Sequence, residues 1–387
     1  MHEKVGGSET TGLQTAHCLL PTFLGGKAKR DSGSLGQVIQ VRFQTLELIK
    51  LYPLAISRGV MASSENLFVS ISDGDHVGIG ELSPATGSEW TAERGERQLR
   101  QYLDTSLLWR GDRLSSPHDV YASMREAGID PPAMAALDVA VWDLLAKQAG
   151  LPLYRLLGLP NRSVPTSVTI GINPPEVTRE RVPDILRRTG AKCLKIKLGS
   201  PEGLEHDKAH FSAAAESSSA FQPSLRVDAN GGWSPQDAVH MISWLADRGV
   251  EYVEQPLAKG AEDDLPLVFA GRRLPIFLDE TIRFSEDVPA VADRCDGVNL
   301  KLMKCGGITE AVRIVATAKA HGLQTMIGCM SESSIAIAAG AAIGSLFDHI
   351  DLDSHLNLNP DPASGAPIVD GVVRSLETVG HGGALNA

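Results

Sequence analysis

No run of about 18 apolar residues occurs anywhere in the 387-residue chain, so the sequence offers no membrane-spanning helix. Positive charge is also short. There are 36 Lys and Arg against 47 Asp and Glu, and the formal net charge of −11 argues against nucleic acid or an anionic membrane as a partner. Cysteine is sparse: Cys18, Cys193, Cys295, Cys305 and Cys329 form an odd, scattered set without C-x-x-C spacing. Such a set predicts a reducing cytoplasm rather than a disulfide framework. Residues 1–38 lack sustained periodicity, and Gln14, His17 and Pro21 interrupt the mildly apolar Leu13 to Leu24 stretch. This predicts a disordered tail rather than an export signal.

What is present is ordinary globular composition, with 43% hydrophobic and 21% charged residues. The length accommodates a barrel of about 250 residues plus a smaller domain. Residues 41–48 and 66–72 alternate as strands, and a turn at Asp73-Gly74-Asp75 leads to a third strand over 77–82. Thr91 is placed to cap a helix, and Pro131-Pro132 opens a longer one reaching Gly150. The reading is an α+β domain over 39–160. Strand–helix repetition follows over 161–355, and a segment over 356–387, with one candidate strand at 368–373, packs back towards the first domain.

The repeated part carries the chemistry. In Cys193-Leu194-Lys195-Ile196-Lys197 the period-two alternation puts both lysines on one face. Asp228, Glu254, Asp279 and Lys301 then end successive apolar strands at intervals of about 22–26 residues, the length of a βα unit. In a closed barrel those strand ends share one mouth. Three acids converging there call for a cation, and Mg²⁺ suits hard oxygen ligands; separate salt bridges are the alternative. Lys197 and Lys301 would flank a bound substrate from opposite sides. Burial and the neighbouring Lys195 are expected to lower the pKa of such amines and equip them as bases.

The motifs Lys195-Ile196-Lys197, Val227-Asp228-Ala229-Asn230, Glu254-Gln255-Pro256, Asp279-Glu280 and Asn299-Leu300-Lys301, with Gly306-Gly307 beyond, resemble the muconate-lactonizing subgroup of the enolase superfamily. The resemblance covers about residues 40–375. It implies a modified (β/α)7β TIM-type barrel under an α+β capping domain. It also implies one Mg²⁺ per subunit on Asp228, Glu254 and Asp279, with Lys197 and Lys301 as the acid/base pair and Lys195 in support.

Asp351-Leu352-Asp353 on the eighth strand is similar to the motif that holds a substrate ammonium in dipeptide epimerases of the L-Ala-D/L-Glu type. The implied reaction inverts the α-carbon of a dipeptide's C-terminal residue by two-base 1,1-proton transfer through an enediolate. Side-chain choice is implied to lie in the capping-domain loops, where Arg58 and Met61 stand near the position of an arginine that reads glutamate. Rival readings are an o-succinylbenzoate synthase, N-acylamino acid racemase or cycloisomerase of the same superfamily, a Schiff-base aldolase and a non-catalytic binding protein. The expected partner is a small dipeptide, and a homo-oligomeric state is left open.

Overall fold

In a computed structural model of the chain, residues 40–105, 109–110 and 113–386 are described; the expected tail over 1–38 lies outside them. Three antiparallel strands, β1 (Gln40–Ile56), β2 (Gly59–Ser72) and β3 (Val77–Leu82), form the capping sheet in the order β1-β2-β3. Three helices pack on it: α1 (Ala92–Thr105), α2 (Pro117–Glu126) and α3 (Pro131–Gln148). The Thr91 side chain accepts from the Arg94 amide at 3.1 Å, the cap expected at the start of α1.

Both strands of the β1–β2 hairpin run longer than the sequence alternation suggested, because they continue to the turn at Ser57-Arg58. Their register breaks between Ile49 and Leu54, around Pro53, which has no amide to donate to the ladder. Close packing of sheet and helix depends on Gly78 and Gly80. A Cβ on either would stand 2.1 Å from a carbonyl oxygen of α3, that of Ala140 or Ala136.

Eight parallel strands follow in unbroken sequence order, from Ser167–Ile170 to His349–Asp351. A parallel bridge between Thr166 and Ile350 brings the last beside the first. The architecture is therefore a modified TIM-type barrel with an α+β cap. Five connections carry helices of 9–15 residues, and the fourth carries a six-residue helix, Leu265–Ala270. The fifth has only the 3₁₀ turn Ser285–Ala290. Leu194 and Ile196 of the second strand are fully buried in the main core, and the alternate lysines point inwards to the barrel axis, towards the acids of other strands.

The candidate strand at 368–373 is a small hairpin, Ile368–Val369 with Val372–Val373. It docks at the barrel: the Thr166 amide donates to the Gly371 carbonyl at 2.9 Å. Farther along, the His381 ring lies 2.8 Å from the Ile79 carbonyl of the capping sheet. Among the described residues no helix is long and apolar enough to cross a membrane.

Candidate active site

The third, fourth and fifth barrel strands deliver Asp228, Glu254 and Asp279 to the mouth, all fully buried. One oxygen from each lies within 4.8 Å of the others. Burial and the adjacent Asp228 push the Glu254 carboxyl up to about 8. Burial opposes ionisation of Asp228 and Asp279 as well. There it is outweighed, by Lys197 and Lys195 for Asp228 and by Lys301 and Lys304 for Asp279, so both carboxyls are held below the usual range. Three buried hard-oxygen donors this close fit a small dication such as Mg²⁺.

Four lysines surround the triad. Lys195 Nζ lies 2.6 Å from Glu254, 2.7 Å from Asp351 and 3.1 Å from Asp228. Lys197 Nζ lies 2.6 Å from Asp228, and Lys301 Nζ 2.8 Å from Asp279 on the opposite side. The expectation of down-shifted amines needs correction for Lys301. Its burial is overcome by the Asp279 and Glu280 carboxylates, and its pKa is raised.

Lys304 was not singled out from the sequence. It sits one turn beyond Lys301 in the short helix Leu302–Cys305, and its ammonium contacts both the carboxylate and the carbonyl oxygen of Asp279. It also donates to the carbonyls of Ile282 at 3.1 Å and Asn299 at 3.2 Å. Two amides complete the frame. Asn299 donates to Glu254 at 2.8 Å, and Gln255 accepts from the Asp279 amide at 2.8 Å. Asn299 was legible, for it alternates with Lys301 on the same strand face. Gln255 and Asn230, just beyond two of the acids, hold positive φ angles of 38° and 45°. This uncommon backbone redirects the chain within two residues of Asp228 and Glu254.

Above the triad lies a cavity of about 670 Å³. Lys197, Lys301, Lys304 and Asp279 line its floor, and Leu54, Ile56, Pro84, Trp90 and Met330 give it apolar walls. Asp351 and Asp353 are not on its lining. Asp351 ends the eighth strand and pairs with Lys195, while its Oδ1 is buried without a hydrogen-bond partner. Asp353 stands past the strand end and accepts from the Thr169 amide at 2.6 Å. Burial and Asp351 raise its carboxyl to about 6.

Arg58 lines the cavity but is engaged elsewhere: it donates to the Asn230 carbonyl at 2.9 Å and pairs with Glu280 at 2.7 Å. Met61 is set back from the lining, with its sulfur 3.0 Å from Ser331 Oγ.

Comparison with known proteins now bears on this arrangement. The family described as "Enolase C-terminal domain-like" matches residues 178–387. That described as "Mandelate racemase / muconate lactonizing enzyme, N-terminal domain" matches residues 39–158. The chain belongs to the mandelate racemase/muconate lactonizing enzyme family.

Within this family it is 56% identical to a hydrophobic dipeptide epimerase of Roseobacter litoralis, over 90% of this chain and 99% of that protein. A protein of the same name from a Flavobacteria bacterium is 54% identical, over 89% and 97% of the two chains. Among solved structures, a dipeptide epimerase from Enterococcus faecalis, complexed with Mg and the dipeptide L-Leu-L-Tyr, superposes with a TM-score of 0.80 at 30% identity. The match covers 89% of this chain and 99% of that one.

Hydrogen bonds near the cavity are among those that join cap to barrel. The buried Glu81 of β3 accepts from the Ser333 hydroxyl at 2.6 Å and the Ser333 amide at 2.9 Å, and Asn66 donates to the Ser331 carbonyl at 2.7 Å. At the hairpin tip, Ser57 joins Arg58 on the Asn230 carbonyl, at 2.8 Å.

Proposed function

We propose that this protein is a Mg²⁺-dependent dipeptide epimerase, an isomerase that inverts the α-carbon of a dipeptide's second residue. The observation that carries the reading is the placement of two lysines, Lys197 and Lys301, on opposite sides of one triad of buried carboxylates. When bound, Mg²⁺ supplies positive charge for the negative charge that develops on the substrate carboxylate as the α-proton leaves. Asp228, Glu254 and Asp279 are the ligands in this reading. Lys197 takes the proton on one face of the α-carbon while Lys301 delivers one on the other; the roles reverse for the opposite epimer, for which the Asp279 charge that holds Lys301 protonated would be drawn off by bound Mg²⁺. Lys195 and Lys304 keep the acids oriented.

Asp351 and Asp353 receive the free ammonium of the first residue. Support for this comes from the buried, unpartnered Asp351 Oδ1, an acceptor that gains most from a cationic donor. A second residue with a hydrophobic side chain is favoured over glutamate. Arg58, the cation nearest in sequence to the expected glutamate-reading position, is already paired with Glu280, and Leu54, Ile56, Pro84, Trp90 and Met330 give the cavity an apolar side. The names of the two relatives above 50% identity agree. A cytoplasmic location fits the four described cysteines, all free thiols.

The test is α-proton exchange in D₂O across a dipeptide library, with and without EDTA. Mg²⁺-dependent exchange at the second residue, strongest for hydrophobic side chains, is the expected outcome. Exchange confined to N-acylated amino acids would replace this reading with that of an N-acylamino acid racemase.

A further inference from the structure

Five lysines are buried among the described residues, and four of them pair with carboxylates of the active site. Lys50 is the fifth. It lies at the start of the register break in β1, turned inwards on the same face as the fully buried Leu48. Its ammonium donates to Ser331 Oγ at 2.6 Å, its one hydrogen bond among the described residues. Burial lowers its pKa to about 8 against the pull of Cys329 and Asp353, so the amine remains mostly protonated at neutral pH.

The hydrogen-bonding arithmetic is restrictive. An ammonium has three donors and no acceptor, so Ser331 Oγ must accept from Lys50 and its own proton must point elsewhere. The acceptor at hand is Met61 Sδ, 3.0 Å away and weak. Two Lys50 donors have no partner among the described residues. This corner therefore has donors in excess; Ser331 forms part of the cavity wall, and Lys50 stands off the lining, 2.6 Å from the Ser331 hydroxyl. Cys329, two residues before it on the same wall, places its sulfur 3.8 Å from Asp353 Oδ1. If the first residue's ammonium sits at Asp351 and Asp353, as in the reading above on which this inference rests, the side chain of that residue falls beside Ser331.

We infer that Lys50 and Ser331 form a subsite selecting dipeptides whose first residue carries a hydrogen-bond acceptor in its side chain: a hydroxyl, an amide or a carboxylate. The isosteric pair threonine and valine isolates that chemistry from shape. The specificity constant kcat/KM would be measured for L-Thr-L-Leu and L-Val-L-Leu with the wild-type enzyme, Lys50→Met and Ser331→Ala. The wild-type Thr/Val ratio is expected to be about 10 or more, the discrimination one buried hydrogen bond to a charged or charge-polarised donor provides. Each variant should bring it towards one.

A wild-type ratio at or below one, or a ratio that survives both substitutions, overturns the subsite. Should Lys50→Met fail to fold, the wild-type ratio and Ser331→Ala decide the matter. Turnover of both dipeptides at equal rates removes the subsite alone. Absence of turnover with every dipeptide removes the epimerase reading and the subsite together.

Discussion

Lys195 donates to Asp351 inside the barrel, Nζ to Oδ2 at 2.7 Å, and so ties the second strand to the eighth past the first strand between them. One oxygen of Asp351 is thereby committed to the protein's own cation, and the other is buried without a hydrogen-bond partner, open to the substrate ammonium of the proposed reading. N-acetylation of a dipeptide would remove the ammonium that this oxygen awaits. Losing one partner of such a buried charged pair costs about 2–5 kcal/mol, or roughly 30- to several-thousand-fold in kcat/KM. Acetylated dipeptides should be correspondingly poor substrates, and Asp351→Asn should narrow the gap. Equal rates for free and acetylated L-Ala-L-Leu would rule out the ammonium role.

Asp353 adds a pH dependence. Burial and Asp351 raise its carboxyl to about 6, and only the ionised form attracts an ammonium. As the pH falls through 6 the charge is lost, so KM for a free dipeptide should climb. An Asp353→Asn variant should lack that inflection. A KM that stays flat from pH 8 to 5 in the wild type would count against the assignment.

The triad is tested by metal binding as well as by rate. Asp228→Asn, Glu254→Gln and Asp279→Asn should each weaken Mg²⁺ binding measured by calorimetry and abolish epimerisation. EDTA should inactivate the wild type, and added Mg²⁺ should restore it. Full activity in excess chelator would refute the metal assignment.

For the two bases, loss of either should stop epimerisation in both directions. Lys197→Ala and Lys301→Ala should each retain slow α-proton exchange with only one epimer, and the two variants should choose opposite epimers. Interconversion of epimers by either variant at the wild-type rate would exclude a two-base mechanism.

Stability offers a separate check on the cap. Gly80→Ala would drive a methyl group into the Ala136 carbonyl of α3, 2.1 Å from the ideal Cβ position. Overpacking of this kind costs about 1–3 kcal/mol, so the midpoint of urea unfolding should drop measurably. An unchanged midpoint would mean that sheet and helix are less closely apposed than described.

Much of the site was legible because a parallel barrel converts sequence period into position. Period two places Lys195 with Lys197 and Asn299 with Lys301. The recurrence of carboxylates once per βα unit gathers Asp228, Glu254 and Asp279 at one mouth. What escaped the reading depends on contacts distant in sequence. Lys304 stands in a single-turn helix past the strand, too short to show a period, and its importance comes from the bond to Asp279. Lys50 looks like any strand lysine until the register break and the Ser331 loop enclose it. Arg58 was a candidate reader of substrate, and only the fold reveals its pairing with Glu280. The charge state expected of Lys301 also misled, because sequence spacing brings the lysines together without showing which acid each one faces.

Among the contacts that hold cap to barrel are those of Glu81 and Asn66 with the 331–333 loop and those of Ser57 and Arg58 at the hairpin tip. The first set is buried and the second is partly open to solvent. Beside the second, the side chains of Leu54 and Ile56 face the cavity. Drift in those residues leaves the lysines and acids undisturbed, so descendants of one ancestral gene can exchange diets while inheriting the same chemistry.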